Sequence, residues 1–156
     1  MYVWGTGTHG ELGLGDVVEA HIPTMLFCEE KVRKVACGSY HSAFLTETTY
    51  QVYVFGSGEY GGLGLGDATS KFVPTALLVC QERVRDVYCG TYHTIFLTQS
   101  FESRGSYADS SVYACGLPGN SFTPQLTIVL MLEKNRHEKI KSVSCGCNSV
   151  AFMVNL

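Results

Sequence analysis

The chain has 156 residues, 46% of them hydrophobic and 16% charged, with a formal net charge of −3. That is enough chain to bury the core of one domain and too apolar for a disordered segment. No Lys/Arg cluster offers a face for nucleic acid, whose phosphates need neutralising, and no apolar run reaches the roughly 20 residues of a membrane-spanning helix.

Tyr2 to Asp16, YVWGTGTHGELGLGD, opens the chain and returns 51 residues later as Tyr53 to Asp67, YVFGSGEYGGLGLGD, identical at ten of fifteen positions. Self-similarity at that period marks a propeller or a solenoid. Met1 abuts the first predicted strand, so no cleaved leader is expected. Gly5-x-Gly7-x-x-Gly10 and Gly56-x-Gly58-x-x-Gly61 satisfy the dinucleotide fingerprint in letters only. The fingerprint needs a helix whose N-terminus meets the pyrophosphate, and here LGLGD and a proline follow. Glycines that permit positive φ in tight turns account for the pattern. Asp16 and Asp67 close the two motifs, one per copy, and are read as acceptors for backbone N–H groups at the end of the turn.

A proline-led run follows each motif, Ile22 to Leu26 and Val73 to Leu77. Proline there suits an edge strand, where its missing N–H costs nothing. KVRKVACG (Lys31 to Gly38) and RVRDVYCG (Arg83 to Gly90) alternate apolar and polar residues, the period of a strand. HSAFLTE (His41 to Glu47) and HTIFLTQ (His93 to Gln99) are rich in β formers. The third copy is eroded. Ser111 to Gly116 keeps its strand, Leu117 to Ser121 replaces the glycine motif, and Thr123 to Leu126 keeps the proline strand, extended by Ile128 to Leu132. Lys139 to Gly146 and Asn148 to Val154 complete it. The polar insertion Ser100 to Ser110 is expected to form a mobile surface loop, and Glu133 to Glu138 another. No helix of ordinary length is required, so the fold class is all-β, with about a dozen short strands.

Seven cysteines are present, and Cys37, Cys89 and Cys145 share one repeat position just before a glycine. They are expected to be reduced and buried as small apolar groups, in a reducing cytoplasmic or nuclear setting. Cys145-x-Cys147 has no second ligand pair at zinc spacing, so no metal is expected. His41 and His93 begin equivalent strands, with Ser149 in the third copy. No nucleophile or orienting acid recurs beside them, and neither a catalytic residue nor a cofactor is expected.

The phrases VYVFGSGEYGGLGLGD and VYCGTYHTIFLT, with the proline strand that follows the first, resemble the repeats of the regulator of chromosome condensation family over nearly the whole chain. The resemblance implies a β-propeller of four-stranded blades, seven in the best-known members. The chain is then one domain, 1–156, with repeats at approximately 1–51, 52–111 and 112–156. Three blades are too few to close a ring. The expectation is a partial propeller, or half of a six-bladed ring formed by a homodimer that joins through half-blades.

In the family, the histidine is a repeat residue that packs and hydrogen-bonds within its blade, which assigns that role to His41 and His93. The family's partner-facing loop lies between Gly and His, which singles out Ser39, Tyr40, Thr91, Tyr92, Cys147 and Asn148. Tyrosines supply contact area at low entropic cost, but they could equally serve to cover the blade ends, and both readings stay open. The implied function is a protein-interaction or scaffolding module with no enzymatic activity, no membrane and no nucleic acid among its partners. The alternative is guanine-nucleotide exchange on a Ran-like small GTPase, the activity of the founding type. That type uses acidic and histidine residues in these loops, and here the loops carry no acid. Light-sensing relatives depend on tryptophans there, whereas Trp4 is the only tryptophan and lies on a strand.

Overall fold

A computed structural model describes residues 1–16, 19–79, 83–101, 107–116, 125, 127–131 and 139–155. Its strands are β1 (Tyr2–Thr6), β2 (Glu19–Met25), β3 (Val32–Cys37), β4 (His41–Thr46), β5 (Val52–Gly56), β6 (Lys71–Leu77), β7 (Arg83–Cys89), β8 (Thr94–Phe101), β9 (Tyr107–Cys115), β10 (Thr127–Met131), β11 (Lys139–Cys145) and β12 (Val150–Asn155). The described residues contain no helix, and none is long and apolar enough to cross a membrane.

The strands form four antiparallel sheets. Two are complete blades, β3-β4-β5-β6 and β7-β8-β9-β10, and two are two-stranded, β1-β2 and β11-β12. By repeat position β1-β2 is the outer half of a blade and β11-β12 the inner half. The chain is therefore all-β, a partial propeller.

Period-2 alternation explains how the sheets stack. On β4, Ala43 and Leu45 join Val84, Val87 and Phe96 of the next blade in one apolar cluster. Phe44, between them in sequence, points to the other face and packs with Phe55 and Leu26, against Met1 and Val3 of the half-blade before it. A third cluster, Ile95, Leu97, Val112 and Ala114 with Ile140 and Val143, joins the second blade to β11-β12. β4 and β8 are thus apolar on both faces because each face meets a different sheet. Each fully buried Val, Leu, Ile or Phe among them contributes about 1.5–3 kcal/mol. Pro23 and Pro74 lie on β2 and β6, the outermost strands of their sheets, where no neighbour asks for the missing N–H.

Several expectations need correction. The insertion Ser100 to Ser110 is not all loop, since β8 and β9 run on as a hairpin with Gln99 opposite Asp109, Ser100 opposite Ala108 and Phe101 opposite Tyr107. Both flanks satisfy their backbone groups by continuing a ladder already begun. The replaced glycine motif at 117–121, the loop 133–138 and all of the third proline strand except Gln125 lie outside the described residues.

The cysteines also differ from their expected burial. Cys37 is exposed and Cys89 and Cys145 are half-buried, while Cys115 is buried. Repeat register gives Cys37, Cys89 and Cys145 the same backbone position, but the cover comes from the preceding sheet, and β3 has only a half-blade before it. Burial still holds the Cys89 thiol well above its ordinary pKa, and pushes Cys115 up to about 12 and Cys145 up to about 11. Cys28, Cys37, Cys89, Cys115, Cys145 and Cys147 are all free thiols.

Candidate interaction face

One turn is built three times. The Gly38 N–H donates to the His41 carbonyl, Gly90 to His93 and Gly146 to Ser149, each at 2.8 Å. The two residues enclosed are thereby held at the tip, which places Ser39 and Tyr40, Thr91 and Tyr92, and Cys147 and Asn148 at equivalent positions. Beside the first two tips run the glycine motifs, closed by Gly10 N–H to Gly7 O and Gly61 N–H to Gly58 O, both at 2.9 Å. These present His9 and Tyr60.

The rings meet in a row across the blades. His9 lies edge-on to Tyr40 at 5.1 Å between centroids, Tyr40 stacks on Tyr92 at 5.5 Å and 12°, and Tyr92 meets Tyr60 at 4.2 Å. Offset and edge-to-face contacts of this kind add about 0.5–1.5 kcal/mol each beyond area burial. Ser39 Oγ donates to Thr91 Oγ1 at 3.2 Å, so the two loops are also tied by their hydroxyls. Partial burial, then the Tyr40 phenol, raises the pKa of the Tyr92 hydroxyl. Glu11 fixes His9, accepting from its backbone N–H at 2.8 Å and lying 2.9 Å from its ring Nδ1.

Tyr40 and Tyr92 are half-buried rather than fully exposed, because each ring shields the other. Ser39, Cys147 and Asn148 are exposed and Thr91 is half-buried. Sequence reasoning missed His9 and Tyr60, although they stand at one repeat position, 51 residues apart.

The two histidines are buried beneath this face. His41 Nε2 lies 2.8 Å from Thr94 Oγ1, whose proton is committed to the Gly62 carbonyl at 2.6 Å. The imidazole is therefore the donor and carries its proton on Nε2. The bond crosses from one blade to the next, where the resemblance implied a bond inside the blade. Ser42, the counterpart of Thr94 one blade earlier, donates to the Glu11 carbonyl at 2.9 Å in the same way. In the third copy the counterpart is Val150, and neither ring nitrogen of His93 has a partner among the described residues. Burial, then the nearby His93 ring, lowers the His41 pKa to about 4, and burial lowers that of His93.

The glycines before the histidines set the blade spacing. A Cβ on Gly38 would overlap the Gly90 carbonyl oxygen, and one on Gly90 would come within 2.8 Å of that of Gly146. Asp67 accepts the Thr69 N–H at 2.8 Å, a bond that lowers its pKa first of all, and Asp16 is exposed beside residues outside the described set. No group of three or more metal-ligating side chains occurs among the described residues.

Comparison with known proteins fits this geometry. The family model described as Regulator of chromosome condensation (RCC1) repeat matches residues 1–45 and 51–97, and a second model of the same description matches 32–61. The Ultraviolet-B receptor UVR8 of Arabidopsis thaliana is 38% identical over 100 residues, which are 62% of this chain and 22% of the receptor. The E3 ubiquitin-protein ligase HERC2 of Homo sapiens is 37% identical over 94 residues, 58% of this chain and 2% of the ligase. Yeast RCC1 (Prp20), solved bound to Kap60, superposes with a TM-score of 0.74 at 21% identity, over 99% of this chain and 38% of that one. The chain thus spans less than a quarter of either curated relative, and the solved likeness shows the fold.

Proposed function

The chain belongs to the regulator of chromosome condensation repeat family, and on that premise we propose that it is a protein-interaction module that engages its partner through the row His9, Tyr40, Tyr92 and Tyr60. The observation that carries this reading is the row itself, four rings from two successive repeats linked at 4.2–5.5 Å on one face. Rigid tyrosines lose little entropy on binding and offer both an apolar face and a hydroxyl. The reading assigns no reaction to the chain and sets it in a reducing compartment. Self-association through the half-blades belongs to the same reading.

Prp20p from Saccharomyces cerevisiae has binding properties to Gsp1p and histones, and its structure superposes on 93% of this chain with a TM-score of 0.69 at 20% identity. A Ran-type GTPase loaded with a fluorescent guanine nucleotide is therefore the probe. Saturable binding that falls tenfold or more in Tyr40→Ala/Tyr92→Ala, with an unchanged melting midpoint and no faster nucleotide release, supports the module. Accelerated release replaces it with nucleotide exchange. Unfolding of the double variant assigns both tyrosines to the blade ends instead, and no binding by the intact protein removes this GTPase as the partner.

A further inference from the structure

Away from the interaction face, tyrosine rings in this fold meet the chain's own cations. The Arg83 guanidinium lies 3.2 Å from the centroid of the Tyr50 ring and that of Arg33 lies at 5.4 Å, while the Lys34 ammonium sits 4.6 Å from that of Tyr88. On the face, Tyr40, Tyr92 and Tyr60 have no cation over them among the described residues. Their charged neighbours are carboxylates. Glu11 holds His9 at one end of the row, and Glu59 stands next to Tyr60 at the other. The turns Thr8 to Glu11 and Gly58 to Gly61, and the tips Ser39-Tyr40, Thr91-Tyr92 and Cys147-Asn148, contain no lysine or arginine. Lys71, whose residue pairs with Gly56 at that end of the blade, leans to Asp67 at 3.9 Å, and Lys34 is committed to Asp86 at 2.9 Å. Glu59 is exposed and Tyr60 is 47% exposed, so a ring and a carboxylate are presented side by side.

We infer that this face takes an arginine-bearing segment of its protein partner, with the guanidinium on the Tyr60 ring and its N–H fork toward Glu59, and a second basic side chain toward Glu11. The inference rests on the partner-binding reading of the row and adds the partner's chemistry. A cation over an aromatic face is attracted by the ring quadrupole, and a flat guanidinium stacks there while its edge still reaches a carboxylate. Arg83 on Tyr50 shows the same stacking inside this fold. A carboxylate-bearing partner would meet like charge at both ends of the row. A purely apolar segment would take Glu59 out of water with nothing to offset the cost.

The probe is a fluorescein-labelled Gly/Ser peptide with arginine at alternate positions, titrated against the full chain by anisotropy beside the same peptide with glutamate in place of arginine. The arginine peptide is expected to bind about tenfold tighter or more, with an affinity that falls as salt is added. Tyr60→Phe should keep that affinity, and Tyr60→Leu, which loses the π face, should lower it by about two- to fivefold. Glu59→Lys should lower it by about fivefold or more. Glu47→Lys, at the turn between β4 and β5 and exposed, should leave it unchanged, and all four variants should keep the melting midpoint. Equal losses in Glu59→Lys and Glu47→Lys assign the binding to net charge and overturn the inference, as does full affinity in Tyr60→Leu. Equal or tighter binding of the glutamate peptide also overturns it. If that binding still falls in Tyr40→Ala/Tyr92→Ala, the row remains a partner site and only the partner's charge is wrong. Saturable binding of neither peptide overturns the inference and leaves the row to the GTPase measurement above.

Discussion

His41 Nε2 donates to Thr94 Oγ1 at 2.8 Å across 53 residues of sequence, joining two neighbouring blades through a buried bond. Removing the hydroxyl without changing side-chain shape leaves the imidazole unsatisfied, which costs about 1–3 kcal/mol. Thr94→Val is expected to lower the unfolding free energy by that amount, read as a lower urea midpoint with an unchanged m value.

The third copy lacks this bond because Val150 occupies the position of Thr94. Val150→Thr offers a hydroxyl to the unpartnered His93 and is expected to stabilise the fold by about 1 kcal/mol. A lower midpoint would show that the apolar contact of Val150 outweighs the new bond.

Acid should act through the same two rings. The His41 pKa falls from 6.5 to about 4 on folding, so between those values the unfolded chain binds more protons than the folded one. The contribution is fully present above pH 6.5, is lost as pH falls toward 4, and levels off below. At 1.36 kcal/mol per unit the loss is on the order of 3 kcal/mol, and His93 adds in the same direction. Equilibrium unfolding followed from pH 7 to 4 checks it, and His41→Gln should flatten the curve.

Gly38→Ala tests the blade spacing. The added Cβ meets the Gly90 carbonyl, backbone that has no rotamer to yield. Overpacking of this kind costs about 1–3 kcal/mol, and the melting midpoint should fall accordingly. Gly15→Ala, with nothing within 4 Å of its Cβ but φ at +82°, isolates the conformational cost alone.

The thiols should divide by cover. Cys147, exposed at a loop tip, is expected to react with a thiol reagent in the folded protein. Cys115, buried and pushed up to about 12, should react only after unfolding. Cys37, also exposed, is expected to be labelled alongside Cys147 in the folded protein.

Much of the fold was legible because a repeat states its instructions more than once. HSAFLT and HTIFLT mark the buried second strand, the prolines mark the outer edge, and the GSYH and GTYH turns fix which residues reach the tip. These are local preferences, period-2 patterning and turn chemistry, and neighbouring residues suffice to express them. His9 and Tyr60 were hidden in the glycine motif, where their neighbours drew attention to nucleotide chemistry that no following helix supports.

The chain alone determined strand identity and the order of strands within a blade, since each follows from residues a few positions apart. Only the tertiary structure decided which histidine finds a hydroxyl, which cysteine is covered and which tyrosines stack. Those outcomes depend on contacts between blades some 50 residues apart, and on whether a sheet lies on a given face. Cys37 and Cys89 occupy the same place in almost the same local sequence, and differ because one strand has a whole blade before it and the other has half.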